Sequence, residues 1–212
     1  MCIRRGCYSG PVSAPFCLLE TIPFHSRVLL TARTAVRLIA DTDRGTETCA
    51  GRPGAKDHEA LDAATYASWG VDYLKEDSCH ASGDHKTAYA DYGKMRDGLN
   101  KTGRPILFSL CGWNAWYSGP DPSMGYGGGK TLGNSFRIGP DDTNWHGVLT
   151  NIDINADLAA FAGPGAWNDP CLLLAETYKG DQRITETQSR SQFSMWLDPR
   201  GPCSCCCISP RF

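Results

Sequence analysis

Apolar positions along the chain gather into short runs and helix-spaced stripes that alternate with one another. Ala35-Val36-Arg37-Leu38-Ile39-Ala40 predicts a strand, and a polar loop broken by Gly and Pro follows over 41–54. Over 55–69 the pattern turns helical, with Ala60, Ala63, Ala64 and Ala67 on one small-residue face and Gly70 placed to end the helix. Val71 to Asp77 predicts a buried strand that finishes in three ionisable residues, Lys75, Glu76 and Asp77. A second helix is expected over 84–99, with Ala88, Tyr92, Met95 and Leu99 on its stripe, and then a strand over 106–111. Residues 112–134 are expected as a long loop carrying Trp113, Trp116, Tyr117 and Tyr126, with Gly127-Gly128-Gly129 supplying flexibility. A short strand over 135–138 leads to Asp141 and Asp142. A helix over 145–161 follows, with Leu149, Ile152, Ala156 and Ala159 on one side. The strand-like Trp167–Leu174 and a helix over 185–197 complete the pattern.

Strand–helix alternation from 34 to 197 argues for βαβ units and a parallel sheet, hence an α/β fold. Five strands are expected where a complete (β/α)8 TIM barrel has eight and about 250 residues. The expectation is a partial barrel holding about strands 3–7, with residues 1–33 unassigned and 198–212 a Cys-rich irregular tail. Apolar strands that end in clustered charge suit the C-terminal mouth of such a barrel, where catalytic groups sit.

Composition narrows the function class. A net charge of −2, with acids and bases interspersed, speaks against nucleic-acid or polybasic membrane partners. No apolar run reaches the roughly 18 residues of a membrane span. Arg4 and Arg5 are not followed by the apolar core of a signal peptide. Of 11 cysteines, only Cys49, Cys79, Cys111 and Cys171 lie in the body of the chain. The tail Cys203, Cys205, Cys206 and Cys207 lacks a spaced second ligand pair, so no metal and no cofactor is expected. A Cys/His module built from Cys79, His80, His85 and the tail is the remote alternative.

Two strand ends present carboxylates: Glu76-Asp77 and Asp141-Asp142. Side chains alternate along a strand, so one member of each pair faces the mouth. Two such acids among Trp and Tyr residues suit glycoside hydrolysis, in which one carboxylate attacks the anomeric carbon and the other serves as acid and then base.

Three segments then carry a specific resemblance: DRGTETCAGRPG…WGVDYLKEDSC over 43–79, GRPILFSLCGW over 103–113, and GNSFRIGPDDTNW…AGPGAWNDPCLLL over 133–174. They resemble the α-galactosidase (melibiase) family of retaining glycosidases, as a truncated copy. The resemblance implies hydrolysis of terminal α-linked galactose, with Asp77 as nucleophile and Asp141, four residues after Arg137, as acid/base. It makes Lys75 and Arg137 ligands of the sugar hydroxyls, places Gly112 and Trp113 at the sugar, and pairs Cys49 with Cys79. Asp169 reads as structural, fixing the tight turn before Pro170. The implied partner is an α-galactoside oligosaccharide or glycoconjugate, and the implied location is secreted or lysosome/vacuole-like. Asn100-Lys101-Thr102 is a glycosylation sequon.

The sequence departs from that pattern in several places. Gly112 stands where animal α-galactosidases have a Glu, with Ala115 three residues on, which resembles the α-N-acetylgalactosaminidase solution. Asp41 replaces a pocket Tyr, Gly133 replaces the partner of Cys111, and Cys171 replaces an Asp. The family's first two strands, its eighth, and its C-terminal sandwich have no counterpart in the flanks, so an inactive fragment is a second expectation.

Overall fold

A computed structural model describes residues 38–112, 118–174 and 184–196, with the backbone of Arg4 and Arg5 besides. The described residues fall into two compact units. One holds those up to Cys111 together with Leu132–Asn134, and the other holds Gly112–Thr131 and those from Ser135 onward.

In the first unit, β1 (Arg4–Arg5) pairs antiparallel with β2 (Leu38–Asp43). Strand β2 then runs parallel to β3 (Tyr73–Asp77), and β3 parallel to β4 (Leu107–Cys111). Helices α1 (Glu59–Ser68) and α2 (His85–Lys101) supply the crossovers. Strand β2 extends three residues into the expected loop because its pairing with β3 continues residue for residue to Asp43 opposite Asp77. The core gathers Ala40, Val71, Leu74, Tyr92, Met95 and Leu110, none of them exposed. Each large apolar side chain so buried contributes roughly 1.5–3 kcal/mol.

Helix α2 buries all four residues of its expected stripe. Its N-cap Asp84 accepts a hydrogen bond from Thr87 N at 2.7 Å, satisfying one free donor of the first turn. Helix α1 corrects the expected face. Ala60 and Ala64 are exposed, and the buried positions are Glu59, Ala63 and Tyr66. The helix turns this way because the Tyr66 ring offers more apolar area than the alanines. Gly70 follows α1 at φ 76, the left-handed geometry that glycine accepts without penalty. Arg104 pins the entry to β3: its Nε donates to Val71 O (2.8 Å), and its Nη2 donates to Gly70 O (2.9 Å) and Asp72 Oδ1 (2.6 Å).

In the second unit, β5 (Ser135–Arg137) pairs parallel with β6 (Trp167–Asp169). Helix α3 (Trp145–Leu158) connects them and passes into a 3-10 turn at Ala159–Phe161, and α4 (Glu186–Trp196) follows. The expected stripe on α3 is corrected as well. Leu149 is 42% exposed, while Val148 and Asn151 are buried. Val148 packs with Leu174, Ile184 and Trp196, and the Asn151 amide is drawn inward by acceptors described below. Within the segment expected as a long loop, residues 118–134 are more ordered than a flexible loop. They carry 3-10 turns at Pro122–Met124 and Gly129–Thr131, and a Cβ on Gly129 would lie 2.5–2.7 Å from the Phe136 ring. Gly129 is therefore a close-packing position. Parallel strands alternating with helices in each unit give the α/β fold that was expected.

Candidate active site

The mouth of β3 is built on the alternation of its last residues. Glu76 is fully buried, and Asp77 turns the other way with its side chain 18% exposed. Lys75 Nζ donates to Asp77 Oδ2 at 2.9 Å and to Asp41 Oδ2 at 3.4 Å. Ser78 N donates to Asp77 Oδ1 at 2.8 Å, so both oxygens of this carboxylate are held. Burial works against the charge on Lys75, but Cys111, Asp41 and Asp77 outweigh it and hold the ammonium above the usual lysine range.

A buried network fixes Ser78. Its Oγ lies 2.7 Å from Tyr92 OH and accepts from Arg44 Nε at 2.9 Å. Arg44 also donates to Ser82 O (2.6 Å), pairs with Asp91 (3.4 Å) and lies over the Tyr92 ring. Sequence reasoning missed this support, because Arg44 sits in a stretch that reads as polar loop.

Cys49 and Cys79 form a disulfide with Cα atoms 5.1 Å apart, tying the loop after β2 to the end of β3. Asp43 organises both ends of that bridge. Its Oδ1 accepts from Cys79 N (2.8 Å), and its Oδ2 accepts from Cys49 N (3.3 Å). Burial first, and then Asp77, push Asp43 up to about 6, against the lowering effect of the two N–H groups. Asp43 also escaped the sequence reading, which ended the strand at Ala40, whereas the pairing of β2 with β3 runs on to set Asp43 opposite Asp77.

The second unit holds the other predicted residues. Arg137, at the end of β5, donates from Nη2 to Asp141 Oδ1 at 2.7 Å. The same nitrogen donates to Cys171 Sγ, which also accepts from Asp142 N at 2.9 Å. Asp141 keeps 32% of its side chain exposed, whereas Asp142 is fully buried. Asn151 Nδ2 donates to Asp142 Oδ1 at 2.5 Å and to Pro140 O at 2.9 Å, and Gln192 Nε2 donates to Asp142 Oδ2 at 3.3 Å. Burial, only partly offset by Asn151 and Arg137, pushes Asp142 up to about 7. Asp169 Oδ1 accepts from Cys171 N at 2.9 Å, a turn-fixing bond.

The structure thus brings Lys75 and Asp77 together with Cys49 and Cys79 in one unit, and joins Arg137 to Asp141 in the other. Gly112 follows directly on β4, and Trp113 lies outside the described residues.

A family model described as alpha galactosidase A, of the melibiase type, matches residues 29–203. The chain belongs to the melibiase family. It is 41% identical over 170 residues to alpha-galactosidase A of Cellvibrio japonicus, covering 76% of this chain and 39% of that protein. It is also 41% identical over 166 residues to the alpha-N-acetylgalactosaminidase of Gallus gallus, covering 76% of this chain and 39% of the relative. Among solved structures, the Saccharomyces cerevisiae α-galactosidase matches with a TM-score of 0.62 and 30% identity, over 77% of this chain and 40% of that one. The fold is accordingly part of the melibiase (β/α)8 barrel. The chain spans about two fifths of the length of these relatives.

Proposed function

We propose that the chain carries the catalytic carboxylates of a retaining α-galactosidase, with Asp77 as nucleophile and Asp141 as acid/base. The observation that carries this reading is the setting of Asp77. It stands at the C-terminal end of a parallel strand, partly exposed, with one oxygen on Lys75 Nζ and the other on Ser78 N. A carboxylate held this way presents a lone pair without needing to reorient. In the first step Asp77 attacks the anomeric carbon and the bond to the leaving oxygen breaks as Asp141 protonates it. In the second, Asp141 takes a proton from water, the water oxygen attacks the same carbon, and Asp77 is released with net retention. Lys75 and Arg137 hold sugar hydroxyls, with Arg137 at the 2-position, and Gly112 and Trp113 line the sugar. The substrate class is an α-galactoside oligosaccharide or glycoconjugate. The disulfide suits an oxidising, secreted or lysosomal/vacuolar setting.

Turnover of a chromogenic α-galactoside by the 212-residue chain, lost in a folded Asp77→Asn variant, is the expected result. Turnover unchanged by that substitution would overturn the assignment. A folded wild-type chain with no turnover would favour the reading of an inactive fragment.

The small Gly112, with Ala115 three residues on, favours a second substrate reading, an α-N-acetylgalactosaminide, whose 2-substituent needs the room that a Glu would fill. The ratio of kcat/KM for the two chromogenic sugars decides between them.

A further inference from the structure

The loop after β2 and the end of β3 place four side chains with metal-ligating atoms around one point: Asp43, Cys49, Asp77 and Cys79. One ligand atom from each lies within 4.8 Å of the other three. A tetrahedral zinc site with Zn–S near 2.3 Å and Zn–O near 2.0–2.2 Å separates its ligands by roughly 3.3–3.8 Å, so small rotamer changes bring this set into range. Asp43 is 4% exposed and already aimed at the bridge, with Oδ1 3.8 Å from Cys49 Sγ. Cys49 is exposed, so a reductant can reach the bond. Asp43 and Asp77 end two paired strands, opposite each other in register, and the cysteines follow them, Cys49 six residues on in the loop after β2 and Cys79 two residues beyond β3.

While the disulfide is closed, both sulfurs are spent on each other and the two carboxylates alone face the position. We propose that reduction of Cys49–Cys79 converts this locus into a Cys2Asp2 site for a borderline-soft divalent ion such as Zn²⁺ or Cd²⁺. A dithiol donates two electrons and two protons, is itself oxidised to its disulfide, and leaves two protein thiols. The ion then displaces one proton from each thiol and takes two thiolates and two carboxylates. The net charge of −2 on that complex is offset in part by Lys75, 2.9 Å from Asp77 Oδ2. Neither His80 nor His85 belongs to the cluster, so this is a different ligand set from a Cys/His module.

The site uses the carboxylate assigned above as nucleophile. The consequence that metal blocks hydrolysis therefore rests on the proposed function, whereas metal binding does not. On this inference the disulfide keeps Asp77 free of metal as well as bracing the loop.

The test uses the full chain with Cys2, Cys7, Cys17, Cys203, Cys205, Cys206 and Cys207 changed to Ser, which leaves buried Cys111 and Cys171 as the other thiols. After dithiothreitol treatment and anaerobic desalting, Cd²⁺ is titrated while the thiolate–cadmium ultraviolet absorption is followed. Circular dichroism on the same samples monitors the fold. One Cd²⁺ per reduced chain, displaced by Zn²⁺ and absent from the oxidised chain, is expected. Asp43→Asn and Asp77→Asn should each weaken binding by roughly tenfold or more, since losing a ligand costs at least what losing an outer-shell partner costs. No stoichiometric uptake by the reduced chain, uptake only by an unfolded chain, uptake surviving Cys49→Ser/Cys79→Ser, or affinity indifferent to both Asp changes would each overturn the proposal. All of these readouts stand whether or not the chain hydrolyses a glycoside.

Discussion

Arg137 and Cys171, both buried, are joined by a hydrogen bond from the guanidinium Nη2 to the thiol sulfur. The same Nη2 holds Asp141, so the thiol and that carboxylate share one guanidinium nitrogen. Cys171 sits at φ 110, a conformation that side chains rarely adopt, and its own N–H is fastened to Asp169. Burial pushes its thiol up to about 12, so the sulfur is neutral across the working range. Cys171→Ala should therefore cost about 1–3 kcal/mol by removing an acceptor from Arg137 and from Asp142 N. Urea unfolding at neutral pH measures it, and Cys171→Ser should restore part of the loss.

Glu76 is the clearest case of a strand-end acid placed out of reach. It is fully buried, both of its oxygens lack a hydrogen-bond partner, and Glu59 lies near. Burial first, then Glu59, raise its pKa well above the ordinary glutamate value of 4.5. The folded state therefore holds this proton to higher pH than the unfolded chain does. Its contribution to stability is intact below the unfolded value and declines as pH rises toward the folded one. Glu76→Gln should flatten that decline, and Glu76→Met should stabilise at neutral pH by about 1–3 kcal/mol by removing two unsatisfied oxygens. Urea midpoints at acidic and alkaline pH give the comparison, and a wild-type curve that rises with pH in parallel with Glu76→Met would refute it.

Much of this was legible in the chain. The strand end at Asp77, the α2 stripe and the Gly70 stop follow from period and turn chemistry, because each depends on neighbours within one or two turns. Alternation along β3 separates buried Glu76 from partly exposed Asp77 as expected, whereas Asp141 and Asp142 lie beyond the end of β5, so the burial of Asp142 and the partial exposure of Asp141 come from the loop and not from strand alternation. What failed were positions set by distant partners. The α3 stripe was misplaced because Asn151, a polar residue, is drawn inward by Pro140 O and Asp142, and hydropathy scores it as surface. Arg44 and Asp43 were passed over because their roles depend on Ser78, Tyr92 and Cys79, 34 to 48 positions along the chain. A pattern read within one element carries no information about such long-range polar bonds.

Gly45 tests whether the loop after β2 depends on close backbone approach. A Cβ there would overlap the carbonyl oxygen of Cys79 and lie 2.6 Å from His80 C and O, all main-chain atoms that cannot swing aside. Gly45→Ala must push β3's end away from the loop that carries Cys49. A destabilisation of about 2 kcal/mol or more is expected, in the range of strained or overpacked sites. Thermal unfolding measures it, and Gly83→Ala, whose Cβ meets nothing within 4 Å, serves as the control.

The disulfide should contribute through the unfolded chain. It closes a loop of sequence separation 30, for which chain entropy gives about 3–4 kcal/mol. Cys49→Ser/Cys79→Ser should lower the unfolding free energy by about that amount, and a loss below 1 kcal/mol would mean that Asp43's bonds to both cysteine N–H groups suffice to hold the loop.

Lys75 separates electrostatic support from mere packing at the β3 mouth. Its Nζ reaches Asp77 at 2.9 Å and Asp41 at 3.4 Å, and the Asp41 side chain is 50% exposed against 18% for Asp77. An exposed pair is screened by water, so the Asp77 contact is the stronger of the two. Lys75→Met keeps the apolar stem and removes the charge, which should leave the fold intact and lower kcat/KM on an α-galactoside by roughly 10²–10³-fold, the scale of losing one preorganised polar contact to the reacting groups. Asp41→Asn should cost far less, because Lys75 retains its shorter bond. Equal losses from the two substitutions would show that Asp41 holds Lys75 as firmly as Asp77 does.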